Sequence, residues 1–277
     1  MNRALRKKIV GGGLVLIFLY GALAIAMPLM ESAYQIRIDL RLMPISSTHW
    51  LGTDQFGRDT FAMVIGGCFA SLSVAAMAVV IGAGIGIPLG LIASASDHVL
   101  SRSILSLNDF IFAFPALVTA ILIHNIFGSG IITAGLAIGI FNIPVFARTL
   151  YGAARPLWTK DFIKAARLAG KNTINIAATH ILPLVSSVAL AQISMQMGLG
   201  ILAEAGLSYV GLGVVPPMPS WGRMLNDAQT LIVIAPRLAI IPGLAIAAFV
   251  FLFTWIGDKL SDYADPKRRE GHDHDRA

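Results

Sequence analysis

Uncharged stretches separated by short clusters of charge set the rhythm of this chain. A basic start (Arg3, Arg6, Lys7, Lys8) runs into 22 uncharged residues, Ile9 to Met30. A hydrocarbon core about 30 Å thick takes about 20 apolar residues in a helix, so this run reads as a first span. A cleaved signal peptide is the alternative, although its apolar core is usually about 7–15 residues. No charge lies between Asp59 and Asp97, which predicts a second span over Phe69–Ala95. The next uncharged gap, Asp109 to Arg148, holds 38 residues and the turn signal Phe127–Gly130, so it predicts two spans, Ser103–Asn125 and Gly130–Ala147. A fifth is expected over Pro183–Ala203 and a sixth over Leu238–Gly257, bracketed by Arg237 and Asp258. In lipid each segment must satisfy its own backbone hydrogen bonds, so the fold class is all-α: a polytopic membrane protein with six transmembrane helices.

Composition supports a membrane class. The chain is 56% hydrophobic and 13% charged, with mean hydropathy +0.75, against about 25% charged for soluble domains. The net charge of +6 then bears on topology rather than on nucleic acid, for which no site is expected. Of 21 Lys and Arg, sixteen fall in the N-terminus, near Arg102, between Arg148 and Lys171, and in the tail; the other five are Arg37, Arg41, Arg58, Arg223 and Arg237. Positive charge collects on the cytoplasmic side, so both termini are expected there. The expected organisation is a cytoplasmic N-terminus over 1–8, a membrane domain over 9–257 and a cytoplasmic tail over 258–277. Outer loops are placed at about 31–66 and 205–236, and an inner loop at about 149–182. Cys68 is the single cysteine, so neither a disulfide nor a cysteine metal site forms within the chain.

Gly82, Gly86 and Gly90 recur every four residues, a helical face on which a second helix can come close. Pro88, Pro115, Pro144 and Pro242 fall inside spans, where each removes a donor and can kink its helix.

One stretch breaks the apolar pattern: TKDFIKAARLA, Thr159–Ala169, followed by Gly170 and then Ile181-Leu182-Pro183. Phe162, Ala165, Ala166 and Ala169 are expected on one side of a short cytoplasmic helix, with Lys160, Lys164, Arg167 and Lys171 toward the other. Thr159 or Asp161 is expected to cap its start and Gly170 to end it; Pro183 falls in the first turn of the fifth span. Periodicity leaves two uses open, a small-residue face fitting a partner's groove or an amphipathic helix on the membrane surface.

The residues Lys164-Ala165-Ala166-Arg167, Ala169, Gly170 and Ile181-Leu182-Pro183 resemble the Glu-Ala-Ala loop of ATP-binding-cassette importer permeases. The resemblance implies a coupling helix between spans four and five that docks on a cytoplasmic ATPase. Where the family has glutamate, this chain has Lys164. HWLGTDQFGRDTF (His49–Phe61) and EAGLSYVGLGVVPPMPSWGRMLNDA (Glu204–Ala228) are similar to the outer segments of the dipeptide, oligopeptide and nickel permeases, and the chain resembles the second, shorter permease of their heterodimers. That implies a homologous permease partner, two ATPase subunits that bind ATP and Mg, and an extracytoplasmic solute-binding protein, with no cofactor on this chain. Peptides are the expected cargo; nickel or a metal chelate is the alternative within the family, and a stand-alone secondary transporter or channel the rival outside it.

In the outer segments His49, Trp50, Gly52, Asp54, Gly57, Arg58, Asp59, Pro219, Trp221 and Gly222 are candidates for binding-protein docking or an outer gate, Arg58 pairing with Asp54 or Asp59. Holding helix ends together is the structural alternative. Asp109, Gln192, Ser194, Met195 and Gln196 are pathway candidates, with helix–helix hydrogen bonding as the competing use. Glu204 is expected to be structural, and His124 and Asn125 interfacial. His272 and His274 lie in a tail read as solvated rather than as a metal site. The nearest string to a phosphate-binding loop, AGKNT at Ala169–Thr173, has Ala165 where the motif needs its first glycine, so the chain is not expected to bind ATP or act as an enzyme.

Overall fold

The structure, a computed structural model, describes residues 35–264. The expected first span, Ile9–Met30, and the histidines His272 and His274 lie outside the described residues. The elements in order are α1 (Thr60–Ala95), α2 (His98–Ala113), α3 (Ala116–Phe127), α4 (Ile131–Ala154), α5 (Asp161–Leu168), α6 (Thr173–Ile176), α7 (Leu182–Tyr209), α8 (Trp221–Ala228) and α9 (Arg237–Ala264). Among the described residues, four helical stretches are long and apolar enough to cross a membrane: Thr60–Ala95, Ile131–Thr159, Thr173–Tyr209 and Arg237–Ser261.

The expected third span is not one helix. Val99–Ala113 and Leu117–Phe127 meet at 82°. Pro115 makes the helical conformation unfavourable for the residue before it, and Phe114 is extended at φ −85°, ψ 126°. Pro88, Pro144 and Pro242, by contrast, sit inside unbroken helices. The other spans outrun their charge boundaries. α1 begins at Thr60 rather than Phe69 because Asp59 caps it, its carboxylate accepting from Ala62 N at 3.0 Å. α4 runs to Ala154, past Arg148. The helix expected from Pro183 is already wound from Thr173, through a π turn at Ala177–Ile181 that precedes the proline.

The described chain clusters into two compact units, one of residues 35–74, 126–134 and 201–248, the other of 75–125, 135–200 and 249–264. In the second, α1 and α4 pack backbone to backbone. A Cβ on Gly82 would lie 2.5 Å from Asn142 Cβ, one on Gly86 2.4 Å from Ile143 O, and one on Gly90 2.4 Å from Ala147 O. The contact is reciprocal, since Gly135 and Gly139 of α4 admit Met77 and Ile81 of α1. In lipid, helices associate through such packing, and small residues permit it. α7 and α9 meet likewise in this unit: Ser194 Oγ donates to Phe253 O at 2.7 Å, and a Cβ on Gly257 would sit 3.1 Å from Ala191 O. In the first unit, Trp221 at the start of α8 is 1% exposed, its Nε1 donating to Val64 O at 3.0 Å, while Gly222 lies against the Ala205 backbone.

Gly86→Val is expected to cost about 1–3 kcal/mol by overpacking, read as a lower thermal midpoint of the detergent-solubilised protein. Gly84→Val, whose Cβ meets nothing within 4 Å, should stay within about 0.5 kcal/mol of wild type. Equal shifts for the two would contradict the α1–α4 contact.

Candidate functional site

The short helix α5 and its surroundings lie in the second unit. Arg155 and Pro156 open a 3₁₀ turn, Arg155–Thr159, directly after α4. Arg155 Nη1 donates to Ser94 O at 2.9 Å and Ser96 O at 3.2 Å, and Trp158 Nε1 donates to Ser94 Oγ at 3.0 Å. The last carbonyls of a helix lack partners within it; here the turn leading into α5 supplies them at the end of α1.

The inward face of α5 is Ile163, 0% exposed, and Ala166, 6% exposed, packed with Leu150, Trp158, Ile176, Ile181 and Val185. Burying an isoleucine side chain contributes about 1.5–3 kcal/mol. The expected alanine face is therefore corrected: Ala166 points into its own chain, while Phe162, Ala165 and Ala169 point out beside Leu168, which is 90% exposed. Ile163 with Ala166 one turn on outweighs the alanines in choosing the buried stripe. The cap is corrected too. Lys160 occupies the N-cap without a side-chain bond, Thr159 Oγ1 donates to Pro156 O at 3.0 Å, and Asp161 takes Lys164 at 2.8 Å. At the other end Gly170 has φ +81°, with Gly170 N donating to Arg167 O and Lys171 N to Ala166 O. This double bond pattern ends a helix on a left-handed residue. Arg167 lies over the Trp158 ring at 5.7 Å. Leu182 and Pro183 face outward on the far side of the π turn.

In the first unit the expected outer segments form a charge-bonded knot. Asp54 accepts from Phe56 N at 2.8 Å, Arg58 N at 2.9 Å and Arg58 Nε at 2.6 Å. Arg58 Nη2 reaches Asp227 Oδ2 at 3.1 Å, and Arg223 Nε reaches the other oxygen at 3.1 Å. Asp59 pairs with His49 Nδ1 at 2.6 Å rather than with Arg58. Gly57, φ +74°, is held so near Arg37 O that no side chain fits, and Gly52, φ +73°, lies under Arg237, whose Nη2 donates to Met43 O at 2.9 Å. Ser220 caps α8 by accepting from Arg223 N at 3.2 Å, beside Pro219 and Trp221. Trp50 is 64% exposed, tilted against Phe61. Sequence reasoning missed Asp227, Arg223 and Arg237 as partners; Asp227 and Arg223 stand four apart on a helix, the spacing of an ion pair. Glu204 is fully buried, accepting from Ser71 Oγ at 2.6 Å and Ser208 Oγ at 2.5 Å. Ser208 Oγ in turn accepts from Val214 N at 3.0 Å, which ties the 210–214 segment to α7.

The pathway candidates divide. Ser194 and Gln196 are buried in helix contacts, Ser194 on Phe253 O and Gln196 Nε2 on Asn142 Oδ1 at 3.3 Å. Gln192 and Met195 are half-buried. Asp109 pairs with Arg148 across α2 and α4. Among the described residues, no three His, Cys, Asp or Glu side chains are grouped to hold a metal.

Residues 86–270 match the family described as "Binding-protein-dependent transport system inner membrane component". The chain is 43% identical over 222 residues to the glutathione transport system permease protein GsiD of Pectobacterium atrosepticum, covering 80% of this chain and 74% of that one. It is 42% identical over the same length to GsiD of Escherichia coli O157:H7, covering 80% and 73%. Two inward-facing structures of the MetNI methionine ABC transporter share the fold at 16% identity. Their TM-scores are 0.62 and 0.63, covering 73% and 74% of this chain and 96% and 97% of theirs.

Asp227→Ala leaves Arg58, 12% exposed, without one of its two carboxylates. A cost of about 2–3 kcal/mol is expected, read as a lowered unfolding midpoint. An unchanged midpoint would mean the knot contributes nothing to holding the 53–59 segment on α8.

Proposed function

This chain belongs to the family of binding-protein-dependent transport system inner membrane components, and from that premise we propose that it forms half of the peptide pathway of an ATP-driven importer. Its partners are a homologous permease, two cytoplasmic ATPase subunits that bind the ATP and Mg, and an extracytoplasmic solute-binding protein. The chain itself does no hydrolysis. Both termini and the 149–182 loop lie in the cytoplasm, and the 31–66 and 205–236 segments face the binding protein. The relatives named for glutathione, a tripeptide, support a peptide-type cargo.

The observation that carries this reading is the seat of α5. Its apolar inward pair, Ile163 and Ala166, fixes it to its own chain. Its outward side presents small Ala165 and Ala169 between Phe162 and Leu168. A surface helix with a 90% exposed leucine has apolar area to bury against a partner. When the ATPases close, that partner pushes α5. The bonds from Arg155 and Trp158 pass the movement to the end of α1, and the glycine contact carries it into α4. The outer knot of Asp54, Arg58 and Asp227 offers the binding protein a preorganised surface, with Trp50 free to be covered.

Single cysteines at Ala165, Leu168 and Ala166 test the face. In the assembled transporter, Ala165→Cys and Leu168→Cys should crosslink to an ATPase subunit, and the inward Ala166→Cys should not. Crosslinking at Ala166 alone, or at none of the three, would overturn the assignment.

A further inference from the structure

The ion pair of Asp109 and Arg148 is left unused by the coupling and docking surfaces. It stands inside helices that otherwise carry little charge. The two side chains are 58% and 48% exposed. On α4, Arg148 is the single exposed residue between Thr133 and Tyr151. A lipid-facing helix looks different: α9 exposes Ile240, Leu244, Phe251, Leu252 and Trp255 in a stripe. Every other residue of α4 between Thr133 and Tyr151 is at least half-buried, so Arg148 emerges singly from that helix, and its partner Asp109 stands on α2 between the exposed Leu107 and Phe110. Placing one such charge in hydrocarbon costs about 2.5–3.5 kcal/mol even on the most lenient scale. The open sides of the pair accordingly face water or a polar ligand.

The pair is also held ready. The Arg148 guanidinium lies over the Phe112 ring at 5.1 Å, and Phe112 is braced edge-on by Phe141 at 5.3 Å. Beside Asp109, Asn108 is 1% exposed, and neither its Oδ1 nor its Nδ2 has a protein partner. A guanidinium has five N–H donors and a carboxylate about four acceptor positions, so each keeps capacity after meeting the other. Because the two groups touch, a ligand that engages both must carry its own opposite charges side by side. An ordinary α-linked peptide has ammonium and carboxylate at opposite ends. A free amino acid, or a peptide joined through the γ-carboxyl of its first residue, has both on one carbon.

We propose that Asp109, Arg148 and Phe112 form a binding station for an α-amino-acid head group, its ammonium on Asp109 and its carboxylate on Arg148. The proposal rests on the reading of this chain as a peptide importer subunit and names the part of the cargo it recognises. The test uses the complete transporter in lipid vesicles with its binding protein and ATPases. The probes are γ-glutamyl-cysteinyl-glycine and its α-linked isomer, which have the same composition. The ratio of their initial uptake rates is compared between wild type and variants, so the binding protein's own preference cancels. Asp109→Asn and Arg148→Gln should each lower the γ-to-α ratio about 10- to 100-fold, the range of a lost charged hydrogen bond. Arg148→Lys should give an intermediate ratio. The double variant Asp109→Arg with Arg148→Asp, which keeps an ion pair but inverts its placement, should stay low. Equal loss of both isomers in the single variants, or recovery of the ratio in the inverted pair, would mean the pair only clamps α2 to α4 and would overturn the station. Wild-type vesicles that take up neither isomer would contradict the import reading itself, a result distinct from an unchanged ratio.

Discussion

Much of this molecule depends on how the C-terminal end of one long apolar helix is closed. α1 ends at Ala95, and carbonyls in its last turn have no partners within the helix. Ser94 O and Ser96 O accept from Arg155, and Ser94 Oγ accepts from Trp158 while donating to Leu91 O at 2.7 Å. These bonds satisfy polar groups that would be costly to leave unpaired near a bilayer. They also place the 155–159 turn, and therefore α5, on the end of α1. With Ile163 and Ala166 packed beneath it, α5 is a rigid projection of the helix pair α1–α4 rather than a floating loop. The glycine contacts matter for the same reason. With glycines of each helix seated against the other, α1 cannot tilt without displacing α4.

The other unit uses a different interaction for a related purpose. Asp54, Arg58, Asp227 and Arg223 form a continuous chain of ion pairs in which each carboxylate accepts from backbone or guanidinium donors. At 10–14% side-chain exposure for Asp54, Arg58 and Asp227, a single unpaired charge there would be poorly tolerated, so the network favours one geometry over a spread of loop conformations. Buried Glu204, with Ser71 and Ser208 on its two oxygens, plays the same part lower in α7. Rigid surfaces bind with less loss of freedom, which suits the docking role proposed for this face.

How far the fold was legible follows from which physical signal was strong. Among the described residues, charge-free runs located four spans because the hydrocarbon core excludes charge over a fixed length. They misplaced the ends because helices continue past the first charge when the side chain can reach water or a partner, as Arg148 does by reaching Asp109. The break at Phe114–Pro115 was signalled by the proline, yet Pro88, Pro144 and Pro242 gave the same signal inside unbroken helices; nothing in the structure explains why only Pro115 breaks its span. The outward face of α5 was misread because four small or apolar residues were counted as a face, whereas burial is decided by the one large β-branched residue, Ile163, and what lies one turn from it. Partners far apart in sequence, such as Arg58 with Asp227 or Arg237 with Met43 O, leave no local pattern, and only the fold brings them together.

The central claim is that α5 and the end of α1 move as one body when the transporter turns over. Spin labels at Leu168, on the exposed face of α5, and at Ile92, on the exposed side of α1, report this directly by the distance between them. The account predicts the same distance distribution in the nucleotide-free and ATP-trapped states of the assembled transporter. A shift in that distance between the two states would show α5 hinging away from α1 and would contradict it.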